Sequence, residues 1–302
     1  MIIGIDQGYG YTKTRNGIFA SGVAKFDNEP GVKDRVLKYN GAWYTVGCMP
    51  DGLAGKKTIN EDYYVITLAA IAEELSIRNI RNANVVLAAG LPLTRFGGEK
   101  KDFREYLMQA NGKTIEYAYE GKNYNIRIED VDLYPQAYAA IIPKLSDTEG
   151  PCYVVDIGTG TTDIIAVGSD HVPDMRAAKT LQHGISTCVS AVNEAVNRAF
   201  SSDMMAGQII DIIRGEKVAT SPKAYKICTE AIKEFANSTL NILRQNKVNY
   251  ELTPTYILGG GATLLKNYAD IDVDETCIHY ITDIKANAIG YEYLSCGKRK
   301  TR

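Results

Sequence analysis

The 302-residue sequence lacks the patterns that identify several common function classes. It has three histidines and no H-E-x-x-H sequence, which argues against a zinc hydrolase. Its six cysteines are scattered and form no C-x-x-C pair, so a zinc ribbon or a disulfide framework is disfavoured. The formal net charge of −2 gives no overall electrostatic footprint for nucleic acid. Direct binding of nucleic acid is therefore not expected.

The sequence also lacks signals for membranes and export. No charge-free apolar run approaches the roughly 18 residues that a membrane helix needs. The N-terminal Met-Ile-Ile-Gly-Ile-Asp has no basic leader and carries an acid at position 6, unlike a signal peptide. Hydrophobic residues make up 45% and charged residues 23%, which is ordinary for a soluble globular protein. These features predict a cytoplasmic protein without a membrane partner.

What the sequence does contain is one glycine-rich pattern in each half. The stretches GIDQGYGYTK (residues 4–13) and VVDIGTGTTD (residues 154–163) both read D-x-G-x-G-x-T. Each follows a short apolar run, and alternating strand and helix patterns follow each copy. The repeat predicts two related α/β domains, residues 1–150 and 151–302, with the last helix (284–295) packing back on the first domain.

Periodicity and turn residues predict the surrounding elements. Asn40-Gly41 predicts a two-residue hairpin turn between β-rich arms. Helical spacing predicts helices over 61–75 and 100–112, a short helix from near Pro135, a helix with Ser186 as its N-cap, and helices within 203–214 and 222–246. The basic tail after the last helix is predicted to fray.

The repeated turn has a specific physical consequence. Glycines adopt positive φ without strain, and successive backbone N–H groups can then converge on a phosphate. A carboxylate at the strand end can hold a magnesium ion through water. A single D-x-G-x-G is also common in ordinary hairpins. Two copies, together with a third glycine-rich turn at 259–261, favour a phosphate-binding role over that alternative. The sequence has neither a Walker loop nor a dinucleotide-binding fingerprint, which excludes these two modes of phosphate binding. The prediction is therefore that the two hairpins bind one polyphosphate.

Three stretches carry a family resemblance. IDQGYGYTK, VVDIGTGTTDI and YILGGGATLL, in this order and spacing, resemble the actin, sugar-kinase and Hsp70 superfamily. Within it the chain is most similar to plasmid-segregation actins of the ParM/StbA type, through GLPLTRF, DLYPQAYAAI, HGISTCVSAVNEAV and ANAIGYEYL. The likeness covers nearly the whole chain. It implies an α/β fold of two related actin-like (ribonuclease H-like) domains with a nucleotide cleft between them.

The resemblance also implies roles for individual residues. The nucleotide-binding residues would be Asp6, Gly8, Tyr9, Gly10, Thr12, Lys13, Gly158, Thr159, Gly160, Thr161, Gly184, Gly259, Gly260, Gly261 and Ala262. Lys13 would reach the β-phosphate, and Asp6 and Asp156 would hold magnesium through water. The catalytic residues would be Gln136 and Asp156, with Gln136 orienting the attacking water.

Two positions depart from the family pattern. Tyr9 stands where relatives often carry a small hydroxyl residue; its backbone N–H can still donate, but its phenol points elsewhere. Gln136 stands where the best-known plasmid-segregation actin has a glutamate. Glutamine cannot act as a base at neutral pH, so orientation of water is the implied role. These departures leave the hydrolysis rate open.

Three functions are compatible with these observations. The favoured one is a Mg-dependent ATPase, with GTP as an alternative nucleotide, that assembles into filaments and drives plasmid or other DNA segregation through a DNA-binding adaptor. The loop around Lys56-Lys57 would then contact the next subunit or simply be a flexible loop. A small-molecule kinase on the same fold is the alternative, although no acceptor-site carboxylate is evident and Gln136 argues against it. A chaperone or scaffold ranks last, because 302 residues cannot hold the long substrate domain of Hsp70 relatives.

Overall fold

The computed structural model describes residues 1–31, 34–48, 61–145, 148, 150–272 and 276–300. The strands in chain order are β1 Ile2–Gln7, β2 Tyr11–Lys13, β3 Ile18–Phe26, β4 Val36–Tyr39, β5 Ala42–Gly47, β6 Asn82–Leu91, β7 Ile115–Tyr119, β8 Lys122–Pro135, β9 Cys152–Ile157, β10 Thr162–Val167, β11 Lys179–Leu181, β12 Thr255–Leu258 and β13 Ile278–Tyr280. The helices are α1 Glu61–Ile77, α2 Leu93–Leu107, α3 Tyr138–Leu145, α4 Ile185–Phe200, α5 Ala206–Arg214, α6 Pro222–Gln245, α7 Gly260–Tyr268 and α8 Ala286–Lys300.

The chain divides into two compact units. The first comprises Met1–Pro143 and Lys285–Arg302, and the second comprises Lys144–Ile284. The domain boundary expected from the sequence was residue 150, whereas the second unit starts at Lys144. The loop around Lys56-Lys57, for which a subunit contact is one of the two expectations, lies outside the described residues.

The first unit is built on β-strands that close on themselves. The hydrogen-bonded order within the described residues is β1-β2-β3-β5-β4-β7-β8-β6, and β1 pairs in parallel with β6. Parallel strands are normally buried on both faces, which explains the apolar sequence of β1 before Asp6. Helix α1 is apolar on most of its circumference, and its Leu68, Ile71 and Leu75 are fully buried in the core of this unit.

The second unit contains a mixed sheet with the described strands in the order β11-β10-β9-β12-β13. Strand β9 pairs antiparallel with β10 and parallel with β12. Helices α4, α5, α6 and α7 bury apolar faces in the core of this unit. Helix α6 begins where the sequence predicts, because Ser221 accepts a hydrogen bond from the Ala224 N–H and Pro222 occupies the first helical position.

Helix α8 belongs to the first unit and approaches it closely. A Cβ atom on Gly4 would lie 2.1 Å from the Ala288 carbonyl oxygen, and one on Gly290 would lie 2.1 Å from the Ala139 carbonyl oxygen. A Cβ on Gly90 would meet the Tyr291 ring. Glycine is therefore required where β1, β6 and α3 meet this helix.

The predicted end of α8 at residue 295 and the frayed tail are wrong. The helix continues to Lys300 because its basic side chains find carboxylates on β8. Lys298 pairs with the buried Asp132, and Arg299 pairs with Asp132 at 2.9 Å and with Asp130 at 2.8 Å. None of the helices in the described parts of the chain has the length and apolar composition that a membrane crossing requires.

Two other helix starts also differ from the prediction. Helix α2 starts at Leu93, directly after Pro92, rather than at residue 100. The short helix expected near Pro135 starts at Tyr138, because β8 extends through Pro135. Residues 136 and 137 form a turn between the two elements.

Candidate functional site

The first glycine-rich stretch forms the turn between β1 and β2. Asp6 pairs with Lys13 across this hairpin, and the Gly8 N–H donates to the Tyr11 carbonyl at 3.0 Å. Ser21 on β3 fastens the turn: its hydroxyl donates to the Gly8 carbonyl at 2.9 Å, and its N–H donates to the Gly10 carbonyl at 2.9 Å. Sequence reasoning missed Ser21, because nothing in its local sequence indicates this contact.

Thr12 serves the hairpin itself. Its side chain is fully buried, and its hydroxyl shares a hydrogen bond with the Ser21 hydroxyl at 2.9 Å. The second threonine of the pattern is also buried but has a different partner, since the Thr162 hydroxyl on β10 donates to the His183 carbonyl before α4. Each threonine therefore connects its hairpin to a neighbouring segment, Thr12 to β3 and Thr162 to the residues before α4.

The carboxylate of Asp6 brings together three of the predicted site residues. It is almost fully buried, and Lys13 Nζ lies 3.0 Å from its Oδ2 atom. Gln136 Nε2 donates to its Oδ1 atom at 3.0 Å. A carboxylate can only accept hydrogen bonds, so Gln136 must turn its NH₂ group toward Asp6. This contact leaves the Gln136 Oε1 atom as the acceptor for another donor.

Tyr9 directs its phenol away from the turn. The Tyr9 hydroxyl accepts a hydrogen bond from Arg95 at 2.9 Å, and Arg95 is held in turn by two hydrogen bonds of 2.8 Å to Glu99 on α2. The side chain of Tyr9 therefore links the hairpin to α2. Arg95 was not predicted; its i, i+4 spacing to Glu99 was a visible signal for the ion pair, but not for the contact with Tyr9.

The second glycine-rich stretch forms the equivalent turn between β9 and β10. The Gly158 N–H donates to the Thr161 carbonyl at 2.8 Å, as Gly8 does to Tyr11 in the first copy. Asp156 lies at the end of β9 opposite Asp163, whose carboxylate accepts a hydrogen bond from the Thr180 hydroxyl. The repeated pattern thus gives the same backbone hydrogen bond in both units.

This second turn is joined to the start of α4. The carbonyls of Gly158 and Thr159 accept hydrogen bonds from the N–H groups of Ile185 at 3.0 Å and Ser186 at 2.8 Å. A Cβ on Gly184 would lie 2.7 Å from the Thr159 carbonyl oxygen, so only glycine fits there. The prediction of Ser186 as the N-cap is wrong: Gly184 occupies that position, and the hairpin carbonyls satisfy the first N–H groups of the helix.

The third glycine-rich turn packs against the end of β9. Gly259 has a φ of +77°, and a Cβ there would lie 2.6 Å from Asp156 Oδ1 and 2.5 Å from the Ile157 carbonyl oxygen. A Cβ on Gly261 would lie 2.2 Å from the Ile157 Cβ, and Ala262 is fully buried. The structure therefore brings Asp156, Gly158, Gly184 and Gly259 to one edge of the second sheet, where the predicted residues Thr159, Gly160, Thr161, Gly260, Gly261 and Ala262 also lie.

His183, directly before Gly184, has a packing role. Its ring stacks on Phe235 with centroids 4.5 Å apart, and its Nε2 atom lies 2.8 Å from the Thr239 hydroxyl. Thr239 donates its own proton to the Phe235 carbonyl, so His183 must be the donor to Thr239. Burial lowers the pKa of His183, which keeps the ring neutral near pH 7.

The Asp6 carboxylate fits a magnesium ion held through water better than one held directly. Within the ranges that the structure describes, no group of three or more His, Cys, Asp or Glu side chains could hold a metal ion. Both oxygens of Asp6 already accept hydrogen bonds from Lys13 and Gln136. Magnesium usually keeps several waters and uses one or two carboxylates together with phosphate oxygens. Asp6, whose two oxygens are already hydrogen-bonded, is consistent with contact through water.

Comparisons with known proteins identify the family of this architecture. Residues 4–138 match the family described as the N-terminal domain of actin-like proteins, and residues 154–270 match the C-terminal domain of the archaeal actin homologue, MreB-like family. The chain belongs to the actin-like proteins, as the sequence predicts. No match to a curated protein was found.

Solved structures confirm the predicted two-domain actin-like fold. The archaeal actin homolog Ta0583 is 22% identical, with 99% of each chain covered and a TM-score of 0.78. The ParM protein of Bacillus thuringiensis with AMPPNP is 13% identical, with 99% of each chain covered and a TM-score of 0.70. The filament structure of Alp12 gives 16% identity, coverage of 99% and 98%, and a TM-score of 0.67. The fold is therefore the one shared by archaeal actin homologues and ParM-type proteins.

Proposed function

We propose that this protein is a cytoplasmic, nucleotide-dependent ATPase that assembles into filaments and segregates plasmid or other DNA through a DNA-binding adaptor. The observation that carries the proposal is the group formed by Asp6, Lys13 and Gln136 at the first hairpin of an actin-like chain. The second hairpin, with Asp156 and Gly158, supplies the same turn in the other unit. ATP is the expected nucleotide, with GTP as the alternative.

Each hairpin would bind phosphate oxygens through its backbone N–H groups. The glycines at positions 8, 10, 158 and 160 let a phosphate approach the backbone closely. Lys13 would donate to a phosphate oxygen while keeping its contact with Asp6. Magnesium, when bound, would neutralise phosphate charge during γ-phosphoryl transfer.

Gln136 would align the attacking water through its Oε1 atom. The hydrogen bond to Asp6 fixes which end of the amide faces away from the carboxylate. An oriented acceptor favours in-line attack without removing the proton beforehand. Because Asp6 is already paired with Lys13, it is poorly suited to act as the base for an acceptor hydroxyl. This pairing disfavours the small-molecule kinase.

The relatives support nucleotide binding and self-association. One structure of Ta0583 is a complex with ADP, the B. thuringiensis ParM structure contains AMPPNP, and Alp12 was solved as a filament. Identities of 13–22% carry these properties to the present chain only as a proposal.

Sedimentation and light scattering with Mg-ATP test the proposal. We expect assembly with ATP, release of phosphate, and loss of both in the Asp156→Ala variant, which removes the carboxylate at the second hairpin. The matched control is Asp170→Ala, which removes an aspartate at an exposed position after β10. A wild-type protein that stays monomeric and hydrolyses nothing with ATP or GTP contradicts the proposal.

A further inference from the structure

The backbone directly after Gln136 has an unusual conformation. Ala137 has a φ of +63°, and the Tyr138 N–H donates to the Gln136 carbonyl at 2.6 Å. A hydrogen bond over three residues with a positive central φ defines the rare and strained form of the γ-turn. A positive φ is uncommon for alanine, as it is for most residues other than glycine. The turn therefore needs support from its surroundings to persist.

Asn287 on α8 supplies that support. Its Oδ1 atom accepts a hydrogen bond from the Ala137 N–H at 2.9 Å. Ala137 is fully buried, so this N–H has no access to water, and a buried N–H without a partner is strongly disfavoured. The preceding N–H, that of Gln136, donates to the Leu91 carbonyl at 2.9 Å. Both ends of the Gln136–Ala137 peptide segment are thereby fixed.

Asn287 is itself fixed in place. Its side chain is 7% exposed, and the next residue, Ala288, lies against Gly4 on β1. One turn further on, Gly290 lies against Ala139 in the first turn of α3. These two close approaches leave no room for α8 to slide along β1 or α3. The same strand β1 ends in Asp6, the carboxylate that receives the Gln136 amide.

We propose that Asn287 is a positioning residue for Gln136. By holding the Ala137 turn in its left-handed conformation, Asn287 places the Gln136 amide on Asp6 and so presents the Gln136 Oε1 atom to water. This inference rests on the proposed ATPase function. It assigns to a residue of α8, remote in sequence from both glycine-rich hairpins, a role in water orientation without contact with nucleotide.

The kinetic test is the Asn287→Ala variant. We expect kcat for ATP hydrolysis to fall about tenfold, because Gln136 loses its fixed placement, while nucleotide affinity stays within about twofold. The matched control is Ser295→Ala, which removes another buried hydrogen bond of α8, to Asp132, and should leave kcat unchanged. Equal effects of the two variants, or a loss of nucleotide affinity as large as the loss of kcat, would overturn the inference.

A second variant separates positioning from packing. Glycine adopts positive φ without strain, so Ala137→Gly in the Asn287→Ala background should restore at least half of the lost kcat. A role in packing alone predicts a further loss instead, because the buried methyl group is removed. If the alanine variant does not fold, Asn287→Asp keeps an acceptor oxygen and should retain kcat within about threefold; a larger loss in a folded protein overturns the inference.

A crystal structure of nucleotide-free Asn287→Ala gives a readout independent of activity. We expect φ of residue 137 to leave the left-handed region and the contact of Gln136 Nε2 with Asp6 to be lost. An unchanged turn with an intact contact refutes the positioning role, whatever the activity. Absence of nucleotide turnover in the wild type refutes the proposed function instead, so the two failures are distinguishable.

Discussion

The side-chain amide of Gln136 donates to the same carboxylate, that of Asp6, with which Lys13 forms an ion pair; both contacts are 3.0 Å long. Asp6 comes from the first strand of the chain and Gln136 from the turn after β8. One buried carboxylate thus holds a cation and an amide, to which the proposed function assigns contact with phosphate and with water. Replacement of Gln136 and replacement of Lys13 are expected to have different effects.

Replacement of Gln136 should affect turnover and not binding. In Gln136→Ala the acceptor for the attacking water is gone, so we expect kcat to fall on the order of 100-fold, the cost of losing one orienting contact. Nucleotide affinity should change less than threefold. Single-turnover phosphate release and equilibrium binding of a fluorescent nucleotide measure the two quantities. Gln109→Ala, at an exposed site after α2, is the control, and a variant with wild-type kcat would contradict the role.

Replacement of Lys13 should affect binding first. Under the proposed function, Lys13→Met removes a charge-assisted hydrogen bond to phosphate, worth about 1.5–3 kcal/mol, or roughly 10- to 150-fold in nucleotide affinity. It also leaves the Asp6 carboxylate buried without its cation, which lowers the free energy of unfolding. Titration calorimetry and urea unfolding report the two effects. The control is Lys25→Met, which breaks an exposed ion pair with Glu61 and should change neither nucleotide affinity nor the free energy of unfolding. Normal nucleotide binding by the Lys13 variant would contradict the proposed contact of Lys13 with phosphate.

Replacement of Gly259 should affect stability. In Gly259→Ala the new methyl group would lie 2.5 Å from the Ile157 carbonyl oxygen on a backbone with φ of +77°, so the turn must shift. We expect a loss of about 1–3 kcal/mol in the free energy of unfolding. Gly207→Ala on α5 is the matched control: a Cβ there meets nothing within 4 Å, and alanine should stabilise the helix by up to about 1 kcal/mol. Equal stability of the two variants would disprove the close approach.

The ion pairs between β8 and α8 predict acid sensitivity. Burial by itself would raise the pKa of Asp130, but hydrogen bonds from Arg299 and Arg104 outweigh it and lower the pKa to about 2. For Asp132, burial is likewise outweighed by Lys298, Ser295 and Arg299, and the pKa is lowered. A lowered pKa contributes stability above the unfolded-state value, which is lost as the pH falls through the folded-state value.

We therefore expect the free energy of unfolding to decline between about pH 4 and pH 2, with about 1 kcal/mol of this decline due to Asp130. Asp130→Asn should flatten this part of the profile, whereas Asp102→Asn, at an exposed position on α2, should keep the wild-type profile. Chemical denaturation at a series of pH values measures the difference. Identical profiles for wild type and Asp130→Asn would show that these pairs do not stabilise the native state.

Local chemistry made much of the fold predictable. Asn40 and Gly41 have φ of +48° and +80°, as the hairpin between β4 and β5 requires, and both residue types suit such a turn. The D-x-G-x-G pattern also predicted both hairpins, but neither Gly8 nor Gly158 has the positive φ expected from the sequence. Glycine is needed at position 8 for a different reason, because a Cβ there would lie 2.9 Å from the Tyr11 carbonyl oxygen. The family and the two-domain actin-like fold followed from these stretches.

Contacts between residues distant in sequence were not predictable. Ser21, Arg95 and Asn287 each form a hydrogen bond with a predicted site residue or its neighbour. The local sequence around each of them does not indicate that contact. The predicted end of α8 was too early because a run of basic residues at the end of a helix is typical of a solvated tail. The carboxylates of Asp130 and Asp132 on β8, with which Arg299 pairs, are far away in sequence. The turn at Ala137 was missed because alanine gives no signal for positive φ.

The contact of Gly4 with Ala288 has a consequence for biosynthesis. Residues 144–284 leave the ribosome between the two segments that this contact joins, and they form a unit that is continuous in sequence. At about 5–20 residues per second, α8 is synthesised roughly 15–55 seconds after β1. The second unit therefore has time to fold before α8 can complete the first unit.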